Sequence, residues 1–419
     1  MSLHSRSSLF LAALIFTTGL VAAATETWPQ FRGPKGDGYV GDAGVPLKWS
    51  ETENVKWKTS IPGEGWSSPV VADGQVWMTT ATGNGRSLRA VCVNLADGKL
   101  LHDIELLAVE VPPAKHKLNS YASPTPILAD GKLYAGFGTN GTVCLDTKTQ
   151  KIVWTNTELK CNHQNGPGGS PLLHKGKLIA CYDGIDVQYI AAMDAATGKV
   201  AWKTERSQKV TKAPDQKKAY GTPFLLTVDG REMVLNTAAE YLYATDPETG
   251  KELWYIKYPG YSNVPVPVYG DGLVFSATGF DRPEMWAFKP GTKEQSGDIT
   301  ATNVVWKNKI QAPAQPSPLL VGERLYMLSD KGTATCMKAK TGEVLWKEQL
   351  GGECSASPIF IDNRVYFFDR DGLCTVVEPA DTFKVLSKNT LESGFMASAA
   401  VVGKALVLRT KTHLYRVEQ

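Results

Sequence analysis

The residues of this chain best suited to chemistry are one histidine and two aspartates in neighbouring loops. His163 lies in CNHQNGPGGSP, which starts at Cys161, and Asp183 and Asp186 lie in YDGIDVQY, which starts at Tyr182. Histidine exchanges protons near neutral pH, and two carboxylates facing it could act as acid and base or hold a cation. Asp-Gly segments are also ordinary turns, so the alternative is that these residues only shape loops.

Other polar and aromatic residues precede short apolar segments at intervals along the chain and could complete a ligand site. The predicted set is Trp66, Asn119, Tyr121, His163, Asn165, Asp183, Asp186, Tyr220, Asn263, Gln315 and Glu353. The alternative is that these are hydrophilic loop residues facing water. The histidines form no His-x-His or His-x-x-x-His pair, so we predict no metal site. No nucleophile elbow, phosphate loop or dinucleotide fingerprint is found in a suitable context, and catalytic residues stay unassigned.

A repeated module must position these loops. Its closing phrase, Asp-x-x-Thr-Gly-Lys-x-x-Trp, is best seen in DAATGKVAWK from Asp194 and DPETGKELWY from Asp246, with looser copies from Asn94, Asp146 and Lys338. Its opening is Ser-Pro or a variant of it, followed by an apolar run and often an Asp-Gly turn. The openings are Ser68-Pro69, Ser123-Pro124, Ser170-Pro171, Thr222-Pro223, Val266-Pro267, Ser317-Pro318, Ser357-Pro358 and Ser398-Ala399.

Eight modules of strands and tight turns predict an all-β, eight-bladed β-propeller with four antiparallel strands in each blade. The last blade lacks its fourth strand, because the chain ends after HLYRVEQ from His413. The segment NVKWKTS, residues 54–60, reads as that missing strand, so pairing the two termini should close the ring and remove its open edges. The repeated tryptophans are predicted to pack between blades. At the entry to each blade, loops should gather at one mouth of the central channel, where ligand sites are favoured.

Composition limits the location and partners. Residues 1–24 combine Arg6 with an apolar run and small residues, which indicates a secretory signal peptide, so an exported protein without a membrane span is expected. Residues 25–48 are predicted to be an N-terminal extension and residues 49–419 a single domain. The chain has 45 basic and 42 acidic residues, so its charge is nearly balanced and nucleic acid is not an expected partner. The protein is also expected to be a monomer. No cysteine stands at the cleavage site for a lipid anchor.

Seven cysteines in an exported chain raise the question of disulfides. Cys92, Cys144 and Cys336, with Cys374 less regular, stand where other modules have alanine, so they are predicted to be buried packing residues. A disulfide between Cys161 and Cys181 is possible, because both should lie near the same end of the third blade.

The modules, together with WPQFRGPKGDG from Trp28 and GWSSPVV from Gly65, resemble the PQQ-like (pyrroloquinoline-quinone-like) propeller repeats of exported planctomycete-type proteins. The resemblance spans residues 28–419 and implies the eight-bladed fold. That superfamily includes quinoprotein dehydrogenases and the outer-membrane assembly lipoprotein BamB. The dehydrogenases carry an adjacent Cys-Cys disulfide and a calcium ion held by Glu, Asn and Asp, and this chain has no Cys-Cys pair.

Two hypotheses follow. The first is a non-catalytic, BamB-like binding or scaffold module of the cell envelope that takes a protein or polymer ligand. The second is a periplasmic oxidoreductase dependent on PQQ and calcium, or another enzyme that uses His163. The sequence does not show whether the phrase starting at Trp28 packs on the ring or reaches another molecule.

Overall fold

Residues 27–281, 283–309 and 312–419 are described by the computed structural model, and the predicted signal peptide lies outside them. Eight sheets, each with four antiparallel strands at its centre, form an eight-bladed β-propeller, as predicted. The described part has one short helix, α1 (Thr300–Asn303), and three 3-10 turns at Gly83–Gly85, Gly138–Asn140 and Pro214–Gln216. Strands and their connecting loops therefore position every residue of interest.

Two strands precede the first complete blade, β1 (Tyr39–Gly41) and β2 (Val55–Ser60). Blades 1 to 4 then follow in chain order, each running from its inner to its outer strand. They are β3 to β6 (Val70–Ala72, Gln75–Thr82, Ser87–Asn94, Leu100–Ala108), β7 to β10 (Ile127–Ala129, Lys132–Gly136, Thr142–Asp146, Ile152–Asn156), β11 to β14 (Leu172–His174, Lys177–Asp183, Gln188–Asp194, Val200–Glu205) and β15 to β18 (Phe224–Val228, Arg231–Thr237, Tyr241–Thr245, Glu252–Lys257).

Blades 5 to 8 repeat the pattern. They are β19, β20, β21 and β23 (Val268–Gly270, Leu273–Ala277, Met285–Phe288, Val304–Asn308), β24 to β27 (Leu319–Val321, Arg324–Leu328, Thr333–Lys338, Val344–Gln349), β28 to β31 (Ile359–Ile361, Arg364–Phe368, Leu373–Val377, Val385–Thr390), and β32 to β34 (Ala400–Val402, Ala405–Arg409, His413–Val417) with β2 as the outer strand. Two blades gain a fifth, parallel strand: β22 (Gly297–Asp298) joins β18, and β1 joins β28.

The last blade closes the ring as the sequence predicts. Strand β2 pairs antiparallel with β34, with Trp57 opposite Arg416 and Ser60 opposite His413. Strand β34 pairs in turn with β33. Both termini therefore contribute to one sheet, in which β34 is paired on both sides and β2 is the outer strand.

Tryptophans on the outer strands join each blade to the next. The Trp154 indole donates from Nε1 to the Ala195 carbonyl oxygen at 2.9 Å, and its ring covers Gly198 in the closing turn of blade 3. Trp57, Trp202, Trp306 and Trp346 donate to the next blade in the same way. His102 and Ser387 occupy this register in blades 1 and 7. These rings are packing residues, and the largest buried clusters likewise combine adjacent blades.

Replacing Gly198 by alanine is expected to cost about 2–4 kcal/mol of unfolding free energy. Gly198 has a φ of +71°, and a Cβ there would lie 2.5 Å from the Trp154 ring. Gly176→Ala is the matched control, since Gly176 has a φ of +73° and open space around its Cα, so only backbone strain of about 1 kcal/mol applies. Urea denaturation of both variants measures the difference, and equal losses would contradict the packing role of this turn.

A ring of hydroxyls ties the inner strands together. The N–H of Ser68 donates to Thr125 Oγ1, that of Thr125 to Ser170 Oγ, and that of Ser170 to Thr222 Oγ1, each at 2.9 Å. The pattern resumes from Val266 through Ser317 and Ser357 to Ser398. The opening of blade 2 is therefore Thr125-Pro126, and the prediction of Ser123-Pro124 was wrong by two residues.

The N-terminal extension packs across the base of the channel, at the end of the inner strands that carries the hairpin turns. Trp28 bridges to Val71 of blade 1, and the Pro29 carbonyl oxygen accepts the N–H of Leu128 in blade 2. On the far side, the Gly38 carbonyl oxygen accepts the N–H of Phe360 in blade 7. The segment 28–38 thus spans the ring. Of the two possibilities that the sequence left open, it packs on the ring.

Candidate functional site

A cavity of about 860 Å³ opens at the other end of the channel and is called the mouth below. The loops that enter each blade and several loops between second and third strands form its wall, as expected from the propeller topology. The half-buried ring of Phe31, from the segment across the base, is also part of its lining. Six of the predicted site residues line it: Trp66, Asn119, Asn165, Tyr220, Gln315 and Glu353.

The other five predicted residues lie outside the mouth lining. Tyr121 covers Gly85, where a Cβ would lie 2.5 Å from its ring. Asn263 is fully buried, and its Nδ2 donates to the Tyr258 hydroxyl and to the Ala277 carbonyl oxygen. The remaining three, His163, Asp183 and Asp186, do not assemble into the acid–base arrangement that their spacing suggested.

Asp183 is a structural residue in a buried ion pair. Its side chain is fully buried, and both carboxylate oxygens accept from Arg206, Oδ1 from Nε at 2.9 Å and Oδ2 from Nη2 at 2.7 Å. Arg206 also bonds Asn236 Oδ1, and its guanidinium lies 5.0 Å from the Tyr243 ring centroid. The contacts of Arg206 with Asn236 and Tyr243 link blade 3 to blade 4. The bidentate pair engages both oxygens of the buried Asp183 carboxylate, which is therefore not available to a substrate or cation.

Asp186 holds a loop in place. It is exposed, and its Oδ1 accepts the backbone N–H groups of Asn162 and Val187, both at 2.8 Å. This pairing pins the loop before blade 3 to the loop between its second and third strands. The role is that of a turn-stabilising carboxylate, which is the alternative that the sequence left open.

His163 is packed away from the mouth. Its ring nitrogens lie 3.4 and 3.5 Å from Cys161 Sγ, and its ring stacks on Tyr220 with centroids 6.5 Å apart. Burial lowers the pKa of His163 to about 4, although the nearby negative charge of Asp186 opposes the shift. The imidazole is therefore neutral at physiological pH.

Buried His163 should make the protein sensitive to acid. Because its folded-state pKa of about 4 is lower than its usual 6.5, the unfolded chain takes up the proton first, so stability falls by about 3 kcal/mol as pH drops from 6.5 to below 4. His163→Phe should flatten this part of the stability–pH profile, measured by urea denaturation at several pH values. Exposed His116 serves as the control, and His116→Phe should leave the slope in place. An unchanged slope in His163→Phe would contradict the assignment of this loss of stability to His163.

The disulfide considered possible from the sequence is not formed, because Cys161 and Cys181 are both free thiols. Cys161 packs with Tyr182 and Tyr189 toward blade 2, whereas Cys181 belongs to the cluster facing blade 4. Opposite faces of the blade therefore separate the two side chains. Cys92, Cys144, Cys336 and Cys374 are buried, as predicted.

One wall of the mouth is rigid and polar. Asn119 donates from Nδ2 to the carbonyl oxygens of Asn165 and Pro167 at 2.8 and 2.9 Å, and its Oδ1 accepts from the hydroxyl of Ser123 at 2.6 Å. Its amide is fully engaged within the protein, so Asn119 shapes the wall and joins the loops of blades 2 and 3.

The opposite wall carries a charge network centred on Arg370, which is 7% exposed. Its guanidinium donates to Glu353 Oε2 at 2.8 Å, to Ser355 Oγ at 2.9 Å and to Gln315 Oε1 at 3.2 Å. Lys331 pairs with the other oxygen of Glu353 at 2.7 Å. Two cations therefore share the two oxygens of one carboxylate in this wall.

Asp330 completes this wall. Its carboxylate accepts the backbone N–H groups of Ala314 and Gln315, both at 2.9 Å. Burial nevertheless raises its pKa above the usual range. Its oxygens therefore hold the loop that enters blade 6.

Sequence reasoning missed Arg370, Asp330, Ser355 and Lys218, although all four line the mouth. A signal was available for two of them. The turns SDKGT from Ser329 and DRDGL from Asp369 occupy matching positions between the second and third strands of blades 6 and 7, and each places a charged residue at the channel. Lys218 gave no such signal, because its loop has no counterpart in other modules.

Comparisons with known proteins agree with this architecture. The family model described as outer membrane protein assembly factor BamB matches residues 36–165, 92–263 and 295–415. The solved structure of BamB from Moraxella catarrhalis is 14% identical, with a TM-score of 0.58 over 86% of this chain and 99% of that one. A quinohemoprotein alcohol dehydrogenase from Comamonas testosteroni is 13% identical, with a TM-score of 0.66 over 95% of this chain and 81% of that one. These likenesses show the fold.

Two curated relatives are dehydrogenases. Quinohemoprotein alcohol dehydrogenase ADH-IIG of Pseudomonas putida is 29% identical over 199 residues, which are 45% of this chain and 25% of that protein. The dehydrogenase subunit of a quinone alcohol dehydrogenase of Gluconobacter oxydans is 29% identical over 178 residues, 38% of this chain and 22% of that protein. The chain thus covers about a quarter of these relatives. No helix within the described residues is long and apolar enough to cross a membrane.

Proposed function

This chain belongs to the BamB-type family of PQQ-like β-propellers, and on that basis we propose that it is an exported binding module of the cell envelope. In this proposal the mouth takes part of a protein or polymer ligand and performs no catalysis on it. The sequence of residues 1–24 supports export, since it has the pattern of a secretory signal peptide.

The proposal rests on the ion pairs and hydrogen bonds that the charged groups of the mouth form within the protein. Arg370, Glu353 and Lys331 satisfy one another, and the Asp330 carboxylate is held by two backbone N–H groups. A general acid, base or nucleophile needs a reactive atom within reach of substrate. A rigid wall of paired charges beside exposed aromatic rings is suited instead to recognition.

The second candidate is a PQQ-dependent oxidoreductase, which the two dehydrogenase relatives favour. The fit of this chain to a calcium-bound quinone is poor. The sequence has no adjacent cysteine pair, and within the described ranges no group of three or more His, Cys, Asp and Glu side chains is arranged to hold a metal ion. The carboxylates of Glu353 and Asp330 in the mouth are engaged by Arg370, by Lys331 and by backbone N–H groups. Together with the missing cysteine pair and the lack of a metal cluster among the described residues, this does not fit that cofactor.

Thermal unfolding with and without PQQ and calcium separates the two candidates, because a ligand that binds only the folded state raises its melting temperature. The binding-module proposal expects no shift and no reduction of an artificial electron acceptor by alcohols or sugars. A rise of several degrees, with stoichiometric quinone absorbance that is lost in a mouth variant, would overturn the proposal in favour of the enzyme.

Photocrosslinking tests binding directly. Phe280 lines the mouth and is 55% exposed, so a benzoyl-phenylalanine at this position should form a discrete adduct with an envelope component in cells. The control position is Leu100, which is 46% exposed on the outer strand of blade 1. Equal adducts at both positions, or none at Phe280, would count against the mouth as the binding surface.

A further inference from the structure

Lys218 is a buried lysine in the wall of the mouth. It lies in the loop that enters blade 4, is 5% exposed and contributes to the lining of the cavity. Burying an ammonium group costs free energy unless an opposite charge or several hydrogen-bond acceptors compensate it. The partners of the Lys218 ammonium group therefore indicate whether a ligand could supply a further acceptor or a counter-charge.

The protein satisfies Lys218 only in part. Its Nζ donates to the backbone carbonyl oxygen of Asp215, and the Tyr261 ring centroid lies 5.8 Å away. No carboxylate forms an ion pair with it in the part of the chain that the structure describes, although the charge of exposed Asp215 acts on it from a distance. An ammonium group has three N–H donors, so donor capacity remains. Burial accordingly lowers the pKa of Lys218.

Lys331 in the lining of the mouth and Lys115 in the loop that enters blade 2 differ from Lys218. Lys115 pairs with Glu64 at 3.0 Å, and Lys331 pairs with Glu353 at 2.7 Å. Both have a carboxylate partner within the protein. Among the described residues, the absence of an ion-pair partner therefore distinguishes Lys218 from these two lysines.

The backbone around Lys218 holds it in position. Its carbonyl oxygen accepts the N–H of Ser262 at 2.8 Å, the Ala219 N–H donates to the Asp183 carbonyl oxygen at 3.1 Å, and the Tyr220 N–H donates to the Asn263 carbonyl oxygen at 2.7 Å. The loop is thus fixed to blade 3 on one side and to the loop entering blade 5 on the other. A charge fixed before binding loses little entropy when a ligand arrives.

Aromatic rings share this part of the mouth. Tyr261 and Phe280 meet edge to face with centroids 5.8 Å apart, and Tyr220 and Trp66 also belong to the lining. Rings of this kind bind flat apolar or aromatic groups. Beside a buried cation, they favour a ligand that has both an apolar body and a negative charge.

We propose that Lys218 is an anion-recognition group, which binds the carboxylate of a ligand whose aromatic or apolar part lies against Tyr261 and Phe280. The inference rests on the proposed function and adds to it the class of ligand. The carboxylate could belong to a small aromatic acid or to the C-terminus of a peptide, and both present the same chemistry to Lys218.

Two pairs of compounds test this proposal by isothermal titration calorimetry on the mature protein. The first pair is 2-naphthoate and its uncharged amide, and the second is N-acetyl-phenylalanine and its C-terminal amide. The wild-type protein should bind each acid at least tenfold more tightly than its amide, and whichever acid binds more tightly identifies the source. In Lys218→Met the preference for the acid should disappear while the amide binds as before.

Lys257→Met is the matched control, since Lys257 lies 5.9 Å from the Tyr241 ring on the exposed outer strand of blade 4, outside the mouth lining. It should retain the preference for the acid. Lys218→Gln provides a second variant if the methionine disturbs folding. Equal binding of acid and amide by the wild type, or a preference that survives in both Lys218 variants, would overturn the inference alone. No binding of any of the four compounds would also overturn the inference, whereas the adduct at Phe280 tests the proposed function separately.

Discussion

A chain that ends at Thr412 is expected to lose cooperative folding, because it lacks strand β34. That strand pairs with β2 on one side and β33 on the other, so its loss leaves two open edges. Leu414, Tyr415 and Val417 are fully buried. Burying side chains of this size contributes about 1.5–3 kcal/mol each, so their combined loss approaches the whole stability of a typical domain.

Circular dichroism melts and size-exclusion chromatography measure this loss. The truncated chain should show no sharp thermal transition and should elute as an expanded or aggregated species. Removing only residues 418 and 419 is the control, since it leaves β34 intact and removes mainly the backbone bond from Glu418 to Asn54. A cooperative transition in the chain that ends at Thr412 would show that the ring does not depend on this closure.

The fold could be predicted because its determinants are local and repeated. Each module carries its own hairpin turn and closing turn, and most carry the tryptophan, so eight weak signals reinforce one another. Closure by residues 54–60 followed from counting strands, since one blade lacked a strand and one strand lacked a blade. The predicted opening of blade 2 was wrong because SPTP offers two openings, and the bonds from Ser68 to Thr125 and from Thr125 to Ser170 distinguish them.

The mouth could be predicted only in part. Loop topology placed Trp66, Tyr220 and Gln315 correctly, because entering loops must converge on the channel. Side-chain partners are a different matter, since Asp183 finds Arg206 at the end of another strand and Arg370 finds Glu353 in another loop. Pairings of this kind depend on three-dimensional contacts that one sequence does not reveal.

The segment across the base shows the same limit. The sequence left open whether this segment packs on the ring or reaches another molecule. The buried Arg32 guanidinium reaches from this segment to the Pro318 carbonyl oxygen of blade 6 at 2.8 Å, and burial lowers its pKa to about 10. Together with the contacts to blades 1, 2 and 7, this bond makes the channel accessible mainly from the mouth. A ligand that enters there would meet Phe31 at the far end of the cavity.

Asp183→Ala is expected to destabilise the protein by about 3–5 kcal/mol, because it leaves the Arg206 cation buried without its counter-charge. The Arg206 side chain is 5% exposed, and in the variant its remaining side-chain acceptor would be Asn236 Oδ1. Urea denaturation measures the loss. Asp186→Ala, in the same loop, should cost only about 1 kcal/mol, since that carboxylate is exposed and accepts two backbone N–H groups.

A double variant distinguishes a structural ion pair from a functional carboxylate. Asp183→Ala combined with Arg206→Met removes both charges, so it should be more stable than Asp183→Ala alone, because no unpaired cation remains between blades 3 and 4. Binding of ligands at the mouth should survive in the double variant, since Asp183 lies outside its lining. If Asp183→Ala were as stable as the wild type but defective in binding, the carboxylate would act on ligand and the structural assignment would be wrong.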